Sequence, residues 1–238
     1  MLWLAFFMCA TPTLAAECAA TLLDLGPARP ATDVQDRLRF IRESLRKDAY
    51  HARLWSYSWG AIYSALAVGQ FGAAPFVSHD SALDLYVGGG ASLIGLAPLV
   101  FTPLKVMGDQ ERLDGFKAGE PETDPCALLA RAEDSLARDA ANEAEGRSLL
   151  FHGGNVVVNA GIFFLMGAGF GHWTNATISL LTGIATGEVM IFTQPVGARD
   201  ALRVYRSGDL SASTAAVRIA AVPLVTRNTS GLLLLIIF

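Results

Sequence analysis

Residues 148–198 read SLLFHGGNVVVNAGIFFLMGAGFGHWTNATISLLTGIATGEVMIFTQPVGA, and Glu188 is the single acidic or basic (Lys, Arg) residue among them. About 20 residues of helix cross the hydrocarbon of a bilayer, so this stretch has the length for two crossings. Gly169-Phe170-Gly171 marks a bend between them. The reading is therefore two spans, at about 149–170 and 175–196. Working outward, 54–78 and 85–104 also lack Asp, Glu, Lys and Arg. They give two further spans, at about 54–76 and 82–104, with Pro75 at the bend. Asp80 and Ser81 stand where they would cap the second span, and Thr174 and Asn175 where they would cap the fourth.

Composition agrees with a membrane chain. Of 238 residues, 52% are apolar and 17% charged, the formal net charge is −4 and the mean hydropathy is +0.39. An ordinary soluble domain is about 25% charged. The chain is too apolar for disorder, and its acidic balance excludes a nucleic-acid partner. Its three cysteines build no disulfide-rich framework. No CxxC or Cys/His cluster supports a metal site. GxSxG, HExxH, P-loop and dinucleotide fingerprints are missing, so no catalytic residue and no cofactor is assigned.

The first residues, 1–15, have the form of an export signal. The apolar core 2–10 is too short to span, and small residues at Thr13 and Ala15 suit cleavage before Ala16. No Lys or Arg precedes that core; the rival reading is an uncleaved segment from 2 to about 23. Cleavage leaves Cys18 and Cys126, a candidate disulfide in an oxidising compartment.

A tandem duplication organises the rest. Glu43-Ser44-Leu45-Arg46-Lys47-Asp48-Ala49 matches Asp134-Ser135-Leu136-Ala137-Arg138-Asp139-Ala140, each residue lying 91 before its counterpart. Val100-Phe101-Thr102 matches Ile191-Phe192-Thr193 at the same spacing. Repeat one is 16–106, with an amphipathic helix at 33–50 and spans 54–76 and 82–104. Repeat two is 124–197, with an amphipathic helix at 125–147 and spans 149–170 and 175–196. A polar linker, 107–123, joins them. Thr32 and Gln35 have capping-box spacing, and Asp124 with Pro125 opens the second amphipathic helix. Val34, Leu38, Ile41 and Leu45 form one apolar stripe; Leu128, Ala132, Leu136, Ala140 and Ala144 form the other. The second is mostly alanine and binds lipid poorly, so the two helices are expected to pair with each other. The tail, 198–238, holds two apolar runs around a turn-rich stretch, read as a short β-hairpin with a short helix as the alternative. The expected fold is thus mainly α: a helical membrane protein of two tandem repeats and four spans, with a short C-terminal β-hairpin.

Small residues recur along the spans. Ala61, Ala65, Gly69 and Ala73 follow at four-residue steps, with Gly88, Ser92 and Gly95, Gly167 and Gly171, and Gly183 and Gly187 on the others. Such faces allow close helix packing within a chain, in a homo-oligomer or against an envelope protein partner. Besides membrane lipid, these are the expected partners.

One polar patch stands out. Glu188 in the fourth span faces candidate partners Asn155 and Asn159, one helical turn apart on the third, with His152 a turn earlier. A charge near the bilayer centre costs about 2.5–3.5 kcal/mol, so Glu188 should face the bundle interior. A polar clamp between helices is the favoured role; an ion or proton path is the other. The charge map conflicts with itself. Arg46, Lys47, Arg53, Lys105, Arg138, Arg147 and Arg199 lie on the side away from the hairpin tips. The positive-inside rule puts that side in the cytoplasm, whereas a cleaved signal puts it outside. Sidedness, and inner against outer membrane, stay open at this level. The functional expectation is an exported membrane protein of the cell envelope with a structural or interaction role. The alternatives are a small channel or transporter using the polar patch, or a membrane-embedded enzyme.

Overall fold

The computed structural model describes residues 34–115, 124–208 and 210, and the backbone alone of 218–226 and 229–237. The expected signal peptide, Cys18 and Thr32 lie outside the described residues. Among the described residues seven α-helices follow in order: α1 Val34–Ala73, α2 His79–Phe101, α3 Val106–Gly115, α4 Pro125–Gly146, α5 Leu149–Phe164, α6 Trp173–Thr193 and α7 Gly197–Ser207. The fold is mainly helical. The backbone of β1, Arg218–Thr226, pairs antiparallel with that of β2, Thr229–Ile237, from Arg218↔Ile237 to Thr226↔Thr229.

Three helical stretches, His79–Leu113, Pro125–Gly169 and Trp173–Ser207, contain segments long and apolar enough to cross a membrane. The fourth expected span, 54–76, forms the C-terminal half of α1 and is not among them. Trp55, Tyr57, Trp59, Tyr63 and Gln70 dilute its apolar residues.

Several boundaries differ from the sequence reading. The amphipathic helix expected at 33–50 and the span expected at 54–76 are one continuous helix of 40 residues, about 60 Å long. No Gly or Pro separates them, so nothing in the backbone stops the helix. The expected linker 107–123 instead begins inside α3, with Val106 and Leu113 buried. The expected tail 198–238 begins with α7, whose Ala198, Ala201 and Tyr205 are buried. The caps also differ. Ser78, not Asp80 or Ser81, is the N-cap of α2, accepting from Ser81 N–H. His172 occupies the N-cap position of α6, with no side-chain cap there from Thr174 or Asn175. Asp124 does cap α4, taking the Cys126 N–H at 3.0 Å with Pro125 at the first turn.

The helices form an apolar layer and a more polar helical head. The head packs the first half of α1 with α3, α4 and α7. Leu38, Ile41 and Leu45 of α1 meet Leu128, Leu129, Ala132 and Leu136 of α4, with Tyr205 of α7 closing the core. Burying each larger side chain stabilises the fold by about 1.5–3 kcal/mol. The stripe on α4 is shorter than expected at its end: Ala144 is exposed, and Glu143 is buried instead.

The apolar layer consists of two hairpins. The second half of α1 packs on α2 through Trp59, Tyr63 and Ala67, and Gly95 of α2 makes room for the Tyr63 ring. The small residues Ala61, Ala65, Gly69 and Ala73 are exposed, so the stripe is not used against α2. The bulky face packs onto glycines and leaves the small face outward. In the second hairpin α5 ends in a π-helical turn, Leu165–Gly169, and Gly171 takes the left-handed φ of 77° that its bend needs. The hairpins meet at both ends. The indoles of Trp55 and Trp59 each donate to Thr193 Oγ1 at 3.1 Å. At the tips, Asp84 of α2 accepts from Asn175 and faces His172 Nδ1, both at 2.6 Å.

Candidate functional site: a polar ladder in the second hairpin

Helical spacing places His152, Asn155 and Asn159 along one face of α5. That face meets Gly183 and Gly187 of α6. A Cβ at Gly183 would overlap the Asn159 amide, and one at Gly187 the Asn155 amide, so the glycines are the space the amides occupy. The structure thereby brings all four residues of the sequence-derived patch together. His152 Nδ1 lies 2.6 Å from Glu188 Oε2. Asn155 Nδ2 donates to Glu188 Oε1 and to the Ile184 carbonyl, both at 3.0 Å. Asn159 Nδ2 donates to Asn155 Oδ1 and to its carbonyl, both at 2.9 Å.

Depth along the helix sets what Glu188 costs. Glu188 stands five residues before the end of α6 at Thr193, and His152 three residues after the start of α5. At 1.5 Å per residue the carboxylate lies about 7–8 Å from the head-side end of its helix. It is near the head, not at the middle of the helix. Side-chain exposures of 24% for His152 and 26% for Glu188 fit a site at that boundary. From there the polar side chains descend to Asn159, opposite the middle of α6. Both carboxylate oxygens are engaged, Asn155 bonding to Glu188 and Asn159 to Asn155. Chemically the ladder holds two helices together and offers one carboxylate–imidazole pair to exchange a proton.

Arg147 frames the ladder at the head side by donating to the carbonyls of Phe192 (2.7 Å) and Gln194. These unpaired carbonyls close α6, where a cation is favoured.

Further polar sites lie in the head, and periodicity alone did not reveal them. Arg37, Glu133 and Tyr205 form a buried triad. Arg37 Nε donates to Tyr205 Oη at 2.7 Å, and both Arg37 and Tyr205 donate to Glu133. Burial and then the neighbouring Glu133 push the Tyr205 hydroxyl well above its ordinary range. Asp48, Asp139 and Glu143 are also buried. Their signal in the sequence is an acid recurring beside the apolar stripe; Asp48 and Asp139 lie 91 residues apart, the spacing of the expected repeat.

Cys126, at the start of α4, is disulfide-bonded, its partner lying outside the described residues. Among the described residues no three His, Cys, Asp or Glu side chains form a group that would hold a metal ion. The sequence matches no known protein family and no curated protein, and the structure matches no solved one.

Proposed function

We propose that this chain is an exported integral membrane component of the cell envelope that works by assembly, its head held rigidly on a four-span base. The observation that carries the reading is the closure of the polar ladder. Both carboxylate oxygens of Glu188 and both asparagine amide nitrogens are bonded within α5 and α6, as a clamp between these helices requires. The second half of α1 serves as the fourth span, and 1–15 as the signal peptide. Small exposed residues on α1 (Ala61, Ala65, Gly69, Ala73) are the face offered to another envelope protein or a second copy. Cys18 is the partner of Cys126, so reduction and alkylation should release that bond.

Tandem duplication underlies the architecture. The element order supports it: a long polar helix, a hairpin and a short helix occur twice, the short helices being α3 and α7. Asp109 pairs with Arg112 on α3 as Asp200 pairs with Arg203 on α7, at the same spacing of 91 residues. Arg53 and Arg147 each donate to a carbonyl at the exit of their hairpin, Met107 and Phe192.

Mild-detergent pull-down from native membranes tests the assembly role. A stoichiometric protein partner, or a stable multimer of this chain, supports it; a monomer carrying only lipid contradicts it. The second reading, a small proton or ion pathway, draws on the partial exposure of the His152–Glu188 pair. Under that reading liposome flux is abolished by Glu188→Ala; the clamp predicts no specific flux in either protein.

A further inference from the structure

Helix α7 has no cap of its own, because Val196 makes no side-chain bond there. Its first amides are met by carboxylates from two other helices. Gly197 N–H donates to Asp48 Oδ1 of α1 at 3.1 Å. Ala198 N–H and Arg199 N–H donate to Glu143 Oε1 and Oε2 of α4, at 3.2 and 2.9 Å. A Cβ at position 197 would overlap the Asp48 carboxylate, so the glycine permits this approach.

These acids are poorly compensated. Asp48 Oδ2 and both carboxylate oxygens of Asp139 are buried with no hydrogen-bond donor, and Asp139 is 1% exposed. Asp139 faces Asp109 of α3 and Asp48 of α1. Among the cations, His51 of α1 acts on Asp48 and Arg138 of α4 on Asp139. Arg138 and Arg112 are both paired to Asp109, and on α7 Asp200 is tied to Arg203. Among the described residues no ion pair includes Asp48 or Glu143. The two carboxyl groups converge on three consecutive amides of α7, and both are buried. Neighbouring carboxylates in a dry site do not both ionise.

We propose that the Asp48–Glu143 pair, backed by Asp139, is a proton-binding latch that docks α7 on α1 and α4 and lets it go when the proton leaves. Burial, followed by the charge of Asp48, holds the Glu143 carboxyl up to about 10. Burial also lifts Asp48, and it lifts Asp139 to about 8 with Asp109 and Asp48 adding to the effect. The docked state therefore keeps a proton that a solvated carboxylate gives up above its ordinary range. Docking is strongest at low pH and weakens as pH rises from about 5 toward 10. Because α7 follows α6 directly, release frees the chain beyond the last span from the head. This device is independent of the assembly reading.

Hydrogen exchange of the full chain in detergent micelles, corrected for the intrinsic pH dependence, tests it between pH 6 and 9. Protection of the α7 amides is expected to fall by up to about tenfold per pH unit while α5 and α6 hold steady. Glu143→Gln removes the titrating carboxyl and should flatten that slope. Where this variant does not fold, the wild-type series decides alone. Unchanged α7 protection from pH 6 to 9, a loss shared equally by α5 and α6, or a Glu143→Gln protein with the wild-type slope overturns the proposal.

Discussion

Glu188 and Leu45 show how differently single residues matter in the two layers. Interhelical hydrogen bonds within a membrane average about 0.6 kcal/mol, because the separated helices also find partners. Glu188→Gln keeps one acceptor near the head-side end of α6, and should cost less than about 2 kcal/mol in detergent unfolding. Gly187→Leu is expected to be worse, since it drives a side chain into the space of the Asn155 amide. In the head, Ile41 and Leu45 are fully buried. Leu45→Ala leaves a cavity in a closed core and should cost about 2–5 kcal/mol, readable as a lower melting point of the head helices. A Leu45→Ala protein as stable as wild type would show that the head is not packed on this stripe.

At the scale of elements, α1 and the α4–α7 contact carry the account. The continuity of α1 makes head and apolar layer one lever. Proline at position 56 removes a helical hydrogen bond at the junction and should cost about 3 kcal/mol. The Arg37–Glu133–Tyr205 triad ties α7 to α1 and α4. Removing Arg37 leaves Glu133 buried and unpaired, so Arg37→Met should cost about 3–5 kcal/mol by chemical denaturation. Legibility also divides by element. The apolar periodicity of 34–45 and 128–140 located both head helices and their core faces, because a helix buries residues at fixed spacing. The meeting of His152, Asn155 and Glu188 was legible because few polar side chains occur in apolar runs, and those few must face each other. Helices α3 and α7 were not legible. They are short, are dense in charge at Asp109, Arg112, Asp200 and Arg203, and owe their stability to tertiary partners, which for α7 include Asp48 and Glu143. The junction at residues 50–54 was misread because a change in polarity looks like a boundary, whereas a helix ends only where its backbone is stopped.

For the whole molecule, the two hairpins and the head form a layered body whose basic residues and hairpin tips lie at opposite ends. Single cysteines at positions 44 and 78 should therefore label from opposite faces of intact membranes. Equal accessibility from one face would contradict the spanning arrangement of α1. The order of labelling also decides between the export signal and the positive-inside rule. The central claim is that the three long apolar stretches, with the second half of α1, lie within lipid. Alkaline carbonate extraction of native membranes followed by high-speed sedimentation tests it most directly. The account predicts that the protein stays in the pellet and is released only by detergent; its recovery in the carbonate supernatant would contradict the account.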